Sequence, residues 1–361
     1  MKFNLVVFYF FGLGLISAQL PASESLGQYP SYKSMSVEQK INTTRLVKTL
    51  KETSRSEYVD GYARRSVHAK STGCVRASFQ VNSDLDGPHA LGLFKSGGQH
   101  DAIIRYSNGS GNSYGDDHSG DTRGMAIKLI NSGDKQLIED PSSPSGNDFI
   151  LLSHPKFFLN QSGPTAAFFE KFDAGSISQL AGIPFVIGLD GTKTAAEMLM
   201  QHIENPLGAD YWSVTPYQLG VGQSPRVVRY HVQACNEGDY RESASPSKGK
   251  NFLRESIKHT LSAGEVCLSF QIQDRGKLSQ IDNINGYDNW DSNTYPFVEI
   301  AKIIIPTQHF DSAEQNLACE KLSFNPWHTA PEHAPLGVIN AMRGPTYSEM
   351  YDLRSDMNSS K

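Results

Sequence analysis

The sequence predicts an α+β fold, an antiparallel β-barrel with flanking helices. Two observations carry this. Apolar strand-like segments recur at hairpin-like spacing between Gly, Asn and Asp clusters. Segments with helical spacing gather in separate stretches rather than alternating with the strands.

The elements follow in order. Residues 19–34 are polar and contain Pro and Ser, which reads as a loose leader. Residues 36–52 place Val37, Ile41, Leu46, Val47 and Leu50 at roughly helical spacing. Strands are expected at Val75–Val81, Ala102–Tyr106, Met125–Ile130 and Phe149–Leu152. A helical interlude from Pro164 to Ile203 contains the pieces Ala166–Phe172 and Ala195–Ile203. Strands resume at Val227–Gln233, Val266–Gln273 and Phe297–Ile305. A helix over 311–322 takes Asp311 as its N-cap, and a last helix runs from about Gly337 to Leu353. The polar tracts 108–121, 139–147 and 236–250 are surface loops, none long enough to link domains. Residues 35–361 therefore read as one domain.

The chain has 361 residues, enough to bury a large core. Its net charge of -5 gives no electrostatic case for nucleic acid. At the N-terminus Lys2 precedes an apolar run, Phe3 to Ile16, followed by Ser17-Ala18-Gln19. That pattern predicts a signal peptide over residues 1–18, cleaved after Ala18, and a secreted protein. The run is shorter than the roughly 20 residues a bilayer span needs, and no other stretch suits one. In an oxidising compartment Cys74, Cys235, Cys267 and Cys319 can form one or two disulfides, or remain buried thiols. Their spacing is too wide for a zinc site. Sequons at Asn42, Asn108, Asn160 and Asn358 are candidate glycan acceptors, Asn108 and Asn160 the least suited. Nothing in the sequence specifies an oligomeric state.

Two constellations carry chemistry. In the last helix Arg343, Tyr347, Tyr351 and Arg354 share one face. An Arg one turn below a Tyr can hydrogen-bond the phenol and favour the ionised form, which is one way a protein ligates haem iron. The alternative is an amphipathic helix with two boundary tyrosines. Gly344-Pro345 intervenes, so the helix could instead start at Gly344 and leave Arg343 outside it. Near the start stands Arg65-Ser66-Val67-His68-Ala69-Lys70, where His68 could move a peroxide proton. Arg105 and Ser107 end an apolar strand, and Asp121-Thr122-Arg123-Gly124 opens another. Asn147 begins a further strand; it reads as a turn residue or as a hydrogen-bond donor to peroxide. The run His154-Pro155-Lys156-Phe157-Phe158 adds aromatic wall.

Taken in order, RSVHAK, IIRYS, DTRGMAIK, GNDFILLSHPKFF and Arg343-x-x-x-Tyr347 with Arg354 resemble the haem-dependent catalase family, in its short, secreted, catalase-related branch. The tract from Val298 through Phe324-Asn325-Pro326-Trp327-His328 to Gly337 is similar to that branch. The resemblance implies a catalase-like barrel holding haem b. It implies that His68 is the acid-base residue, Asn147 the residue orienting peroxide, and Ser107 the partner setting the tautomer of His68. Tyr347 would be the iron ligand with Arg343 beside it, Arg65, Arg105 and Arg354 would bind the haem propionates, and Phe158 is a candidate for contact with the ring, the resemblance leaving open which Phe faces it. The implied activity is decomposition of hydrogen peroxide through a ferryl species, reduced by a second peroxide or an organic electron donor. The same ligand set can serve a fatty-acid hydroperoxide-transforming enzyme or a non-catalytic secreted haem-binding protein. The chain ends seven residues after Arg354 and is short between Asn147 and Phe158. Both departures imply a more open pocket than in the large enzymes of the family.

Overall fold

The computed structural model describes residues 25–359, apart from 57, 59, 60, 96, 134, 144, 175–180, 243–248 and 286–289. The expected signal segment and residues 19–24 lie outside the described residues. Nine strands form one antiparallel sheet: β1 (Ser71–Val81), β2 (Gln99–Asn108), β3 (Arg123–Leu129), β4 (Asn147–Leu152), β5 (Tyr211–Trp212), β6 (Tyr217–Leu219), β7 (Arg226–Ala234), β8 (Val266–Lys277) and β9 (Phe297–Ile305). The order is β5-β4-β3-β2-β1-β9-β8-β7-β6, and β5 also pairs with β7. That second pairing closes an eight-stranded barrel, with β6 an added strand on β7. Closure removes the exposed edges an open sheet would present.

The barrel is filled by the alternate residues of each strand. Val75, Ala77, Phe79 and Val81 point inward from β1, Ile104 and Tyr106 from β2, and Met125, Ile127 and Leu129 from β3. Phe149 lies 4.8 Å from Phe270 and 4.9 Å from Tyr230, ring centre to ring centre, so the interior is packed with aromatics. The opposite row, Arg105 and Ser107 on β2, Gly124, Ala126 and Lys128 on β3, and Asp148, Ile150 and Leu152 on β4, faces outward. Strand period thus separates the packed core from the surface that builds the site.

The helices are α1 (Pro30–Lys33), α2 (Val37–Ser56), α3 (Ser162–Ala174), α4 (Ile183–Leu199), α5 (Phe252–Ala263), α6 (Ala313–Lys321) and α7 (Gly337–Asn358). Residues 25–34 are not loose. Leu26 is fully buried, and Tyr29 and Tyr32 pack with Val47, Leu50 and Met342. Apolar side chains spaced through a polar stretch hold it against α2 and α7. The N-cap of α6 is Ser312, not Asp311: its hydroxyl accepts from Gln315 N, and the Gln315 side chain accepts from Ser312 N.

All four cysteines are bonded, as Cys74–Cys319 and Cys235–Cys267. Two sequons are closed to glycans. Asn42 is buried and its amide donates to Ser162 Oγ at 3.1 Å, while buried Asn108 donates to Asp117 at 2.8 Å. Among the described residues no helix is long and apolar enough to cross a membrane.

Candidate haem site

The last helix settles the first constellation. α7 runs unbroken from Gly337, so Arg343 lies inside it and Pro345 in its interior. Pro345 has no N–H for the carbonyl four residues back. Its surroundings are tied down by Trp327 Nε1, which donates to Asn340 O at 2.7 Å, and by Asn325 Nδ2, which donates to Gly344 O at 2.9 Å. Gly344 admits this approach, because a Cβ there would lie 2.6 Å from Ser31 Oγ and 3.0 Å from the Trp327 ring. Arg343 Nη2 donates to Tyr347 Oη at 3.3 Å, and Nη1 is held by Thr215 Oγ1 at 3.2 Å and Asn340 Oδ1 at 3.0 Å. Burial works against the Arg343 charge, but the adjoining Tyr347 and Tyr217 phenols outweigh it and raise its pKa.

The second constellation sits on the outer barrel face. His68 has φ +55°, a left-handed conformation that a non-glycine residue adopts at a cost. Its Nδ1 is 3.0 Å from Ser107 Oγ, and Arg105 Nη2 donates to its carbonyl at 2.9 Å. The imidazole lies against Gly124, where a Cβ would stand 2.6 Å from Nδ1 and 2.8 Å from Ser107 Oγ. Burial and the charges of Arg105, Arg343 and Arg65 push its pKa down to about 4. His68 is therefore neutral at pH 7. Beyond Gly124 the outer face continues with Ala126, Ile150 and Leu152, all half-buried and apolar.

Arg65, Arg105 and Arg354 converge as well. Arg65 Nη1 is 2.6 Å from Glu320, Arg105 Nη2 is 3.4 Å from it, and Arg65 and Arg354 both donate to Leu322 O, at 2.9 and 3.2 Å. Burial would raise the Glu320 pKa, but the three guanidinium groups outweigh it and hold the carboxyl down to about 2. The group so assembled has three positive charges against one negative.

Asn147 requires a correction: the structure does not bring it to His68. It pairs with Leu129, whereas the Gly124 beneath His68 pairs with Leu152. Five strand residues separate the two places, roughly 16 Å at the usual rise. The side chain also belongs to the inward row of Phe149 and Leu151, and its Oδ1 accepts from Thr329 Oγ1 at 2.5 Å. Phe158 lies in a cluster with Phe157 and Phe168, at 5.0 and 4.8 Å, beside Ile339 one turn before Arg343. Sequence reasoning missed Glu320, Thr215 and Asn340. Only the place of Glu320 beside Cys319 hinted at a buried carboxylate.

A buried ionic group lies further along the same face. Lys128 binds Asp140 and Asp148, the latter at 2.7 Å, and His328 Nδ1 is 2.8 Å from Asp148. The ammonium fills the only gathering of metal-ligating side chains among the described residues. Asn325 N donates to Asp148 at 3.0 Å, so this group fastens the segment between α6 and α7 to the barrel.

The residues fit a haem. Tyr347 offers a phenol beside a guanidinium, and His68 offers a buried, neutral imidazole held by Ser107. The arginine group has two positive charges beyond what Glu320 balances, and Arg105 Nε is buried with no partner among the described residues. Paired carboxylates would answer both.

Comparison with known proteins agrees on the fold. The chain is similar to a fungal catalase (15% identity, TM-score 0.58, covering 80% of this chain and 61% of that one). It is similar to catalase A from Saccharomyces cerevisiae (14%, 0.59, 81% and 61%) and to a bacterial catalase (15%, 0.57, 81% and 58%). It thus has a catalase-like fold and spans about three-fifths of those chains. No family model matches the sequence. A curated protein from Nostoc sp. (strain PCC 7120 / SAG 25.82 / UTEX 2576), named linolenate 9R-lipoxygenase, is 24% identical over 296 residues, 74% of this chain and 36% of that protein. The chain therefore spans about a third of this relative.

Proposed function

We propose that the protein is a secreted haem enzyme that cleaves the O–O bond of peroxides, with hydrogen peroxide as acceptor and an organic electron donor. The observation that carries the reading is the Arg343–Tyr347 hydrogen bond on α7, which His68, buried, neutral and held by Ser107, complements. Tyr347 would hold the iron, and Arg65, Arg105 and Arg354 the propionates. Bound haem supplies a redox-active iron at which a peroxide can be reduced. In the tautomer that donates Nδ1–H to Ser107 Oγ, His68 keeps a lone pair on Nε2. That atom can take the proton of an incoming peroxide and return it to the departing oxygen. Arg343 donates a hydrogen bond to the Tyr347 phenol oxygen, and Thr215 and Asn340 hold Arg343 in line. Two disulfides and the N-terminal apolar run support secretion.

A second reading, transformation of a fatty-acid hydroperoxide, is favoured by the apolar wall of Ala126, Ile150 and Leu152 and by the displacement of Asn147 from it. The name of the Nostoc relative points the same way. The haem-loaded protein would be given hydrogen peroxide with and without a phenolic donor, and separately a linolenate hydroperoxide. Donor oxidation at least matching oxygen release supports the first reading. Consumption of the lipid hydroperoxide with neither supports the second, and vigorous oxygen release alone refutes both in favour of an ordinary catalase.

A further inference from the structure

The three arginines already hold a carboxylate that belongs to the protein. Glu320 lies in the last turn of α6, its side chain 14% exposed, at 2.6 Å from Arg65 and 3.4 Å from Arg105. It is fixed there covalently: Cys319, the residue before it, is bonded to Cys74, and Cys74 pairs across the sheet with Arg105. Leu322 O, two residues on, accepts from both Arg65 and Arg354. Arg254 stands further off, with its own partners Ser71 O and Asn316 at 2.7 and 2.9 Å. The cluster is costly as it stands, since burial and the neighbouring guanidinium groups bring Arg354 down to about 9 and Arg105 to about 10.

Resting on the haem reading above, we propose that Glu320 is a positioning residue: a resident counter-ion that holds Arg65, Arg105 and Arg354 as one array and leaves it two positive charges, matched to the two propionates of a porphyrin. Self-repulsion of a compact charged group grows as the square of its net charge. In the wild type, two bound propionates take the net charge from two to zero, and the squared charge from four to zero. Without the Glu320 charge the net falls from three to one, and the square from nine to one. The stabilisation brought by the ligand is then about twice as large, although the haem-free protein is weaker.

The test uses full-length chain prepared without haem: wild type, Glu320→Gln, and the double variant Glu320→Gln/Arg65→Gln, which restores the charge count. Thermal midpoints are recorded alone, with haemin, and with haemin dimethyl ester. The proposal expects Glu320→Gln to lower the midpoint of the haem-free protein and to gain about twice the wild-type shift with haemin. It expects the double variant to return toward wild type in the haem-free midpoint, and the ester to abolish the extra gain. A Glu320→Gln protein that folds only with haemin, or only as the double variant, also supports it. Unchanged midpoints and shifts in Glu320→Gln overturn it, as does a loss the double variant does not repair, which would mark a packing role. If haemin shifts none of the proteins, the haem reading fails, while the counter-ion role is still judged on the haem-free midpoints.

Discussion

If His68 is the proton-transfer group, its environment dictates an unusual pH profile. An ordinary imidazole, with a pKa near 6.5, is neutral in only about 3% of molecules at pH 5. With a pKa of about 4, His68 is neutral in about 90% at that pH. The rate of O–O cleavage should therefore stay within about a tenth of its plateau from pH 8 down to pH 5, and fall only as pH approaches 4. The sign follows from the base role: the neutral form is competent, burial and the charges of Arg105, Arg343 and Arg65 disfavour the protonated form, and activity is lost as pH drops through the folded pKa. His68→Ala should slow the step about 10²–10⁴-fold, some 3–5 kcal/mol, and remove the acid limb while haem stays bound. Stopped-flow mixing of haem-loaded protein with peroxide, after a brief pH jump that outpaces unfolding, measures both. An acid limb near pH 6.5, or equal rates in wild type and His68→Ala, would refute the reasoning.

Tyr347→Phe should lose the phenolate-to-iron charge-transfer absorption and most of the bound haem; an unchanged spectrum would transfer the ligand role to Tyr351. Gly124→Ala puts a methyl group 2.6 Å from His68 Nδ1 and should cost activity with haem retained, whereas unchanged peroxide kinetics would show that His68 need not lie where it does. Lys128→Met leaves Asp140 and Asp148 buried without their cation and should cost about 3–5 kcal/mol in denaturant unfolding, with a loss below about 1 kcal/mol arguing against it.

The chain determined a good deal by itself. Strand period and turn residues located the barrel strands, because one face of each must be apolar to fill the interior. The four-residue spacing of Arg343 and Tyr347 survived Pro345, since Trp327 and Asn325 secure the helix around it. The short strands Tyr211–Trp212 and Tyr217–Leu219 escaped notice, being too brief to show a period, and yet the first of them closes the barrel.

What tertiary structure alone decided is which polar groups meet. Asn147 lies in a tract that resembles a known site, but register and the inward row take its amide away from His68. A slip of one residue turns a side chain to the other face of a sheet, and the residues themselves do not record it. Along the chain Glu320 is one more charge on a helix. It became the partner of Arg65 and Arg105 because a disulfide and a shared carbonyl carry α6 onto strands some two hundred residues earlier. Periodicity is a local property and can be read along a chain; charge compensation depends on contacts between distant segments, and these exist only once the barrel has closed.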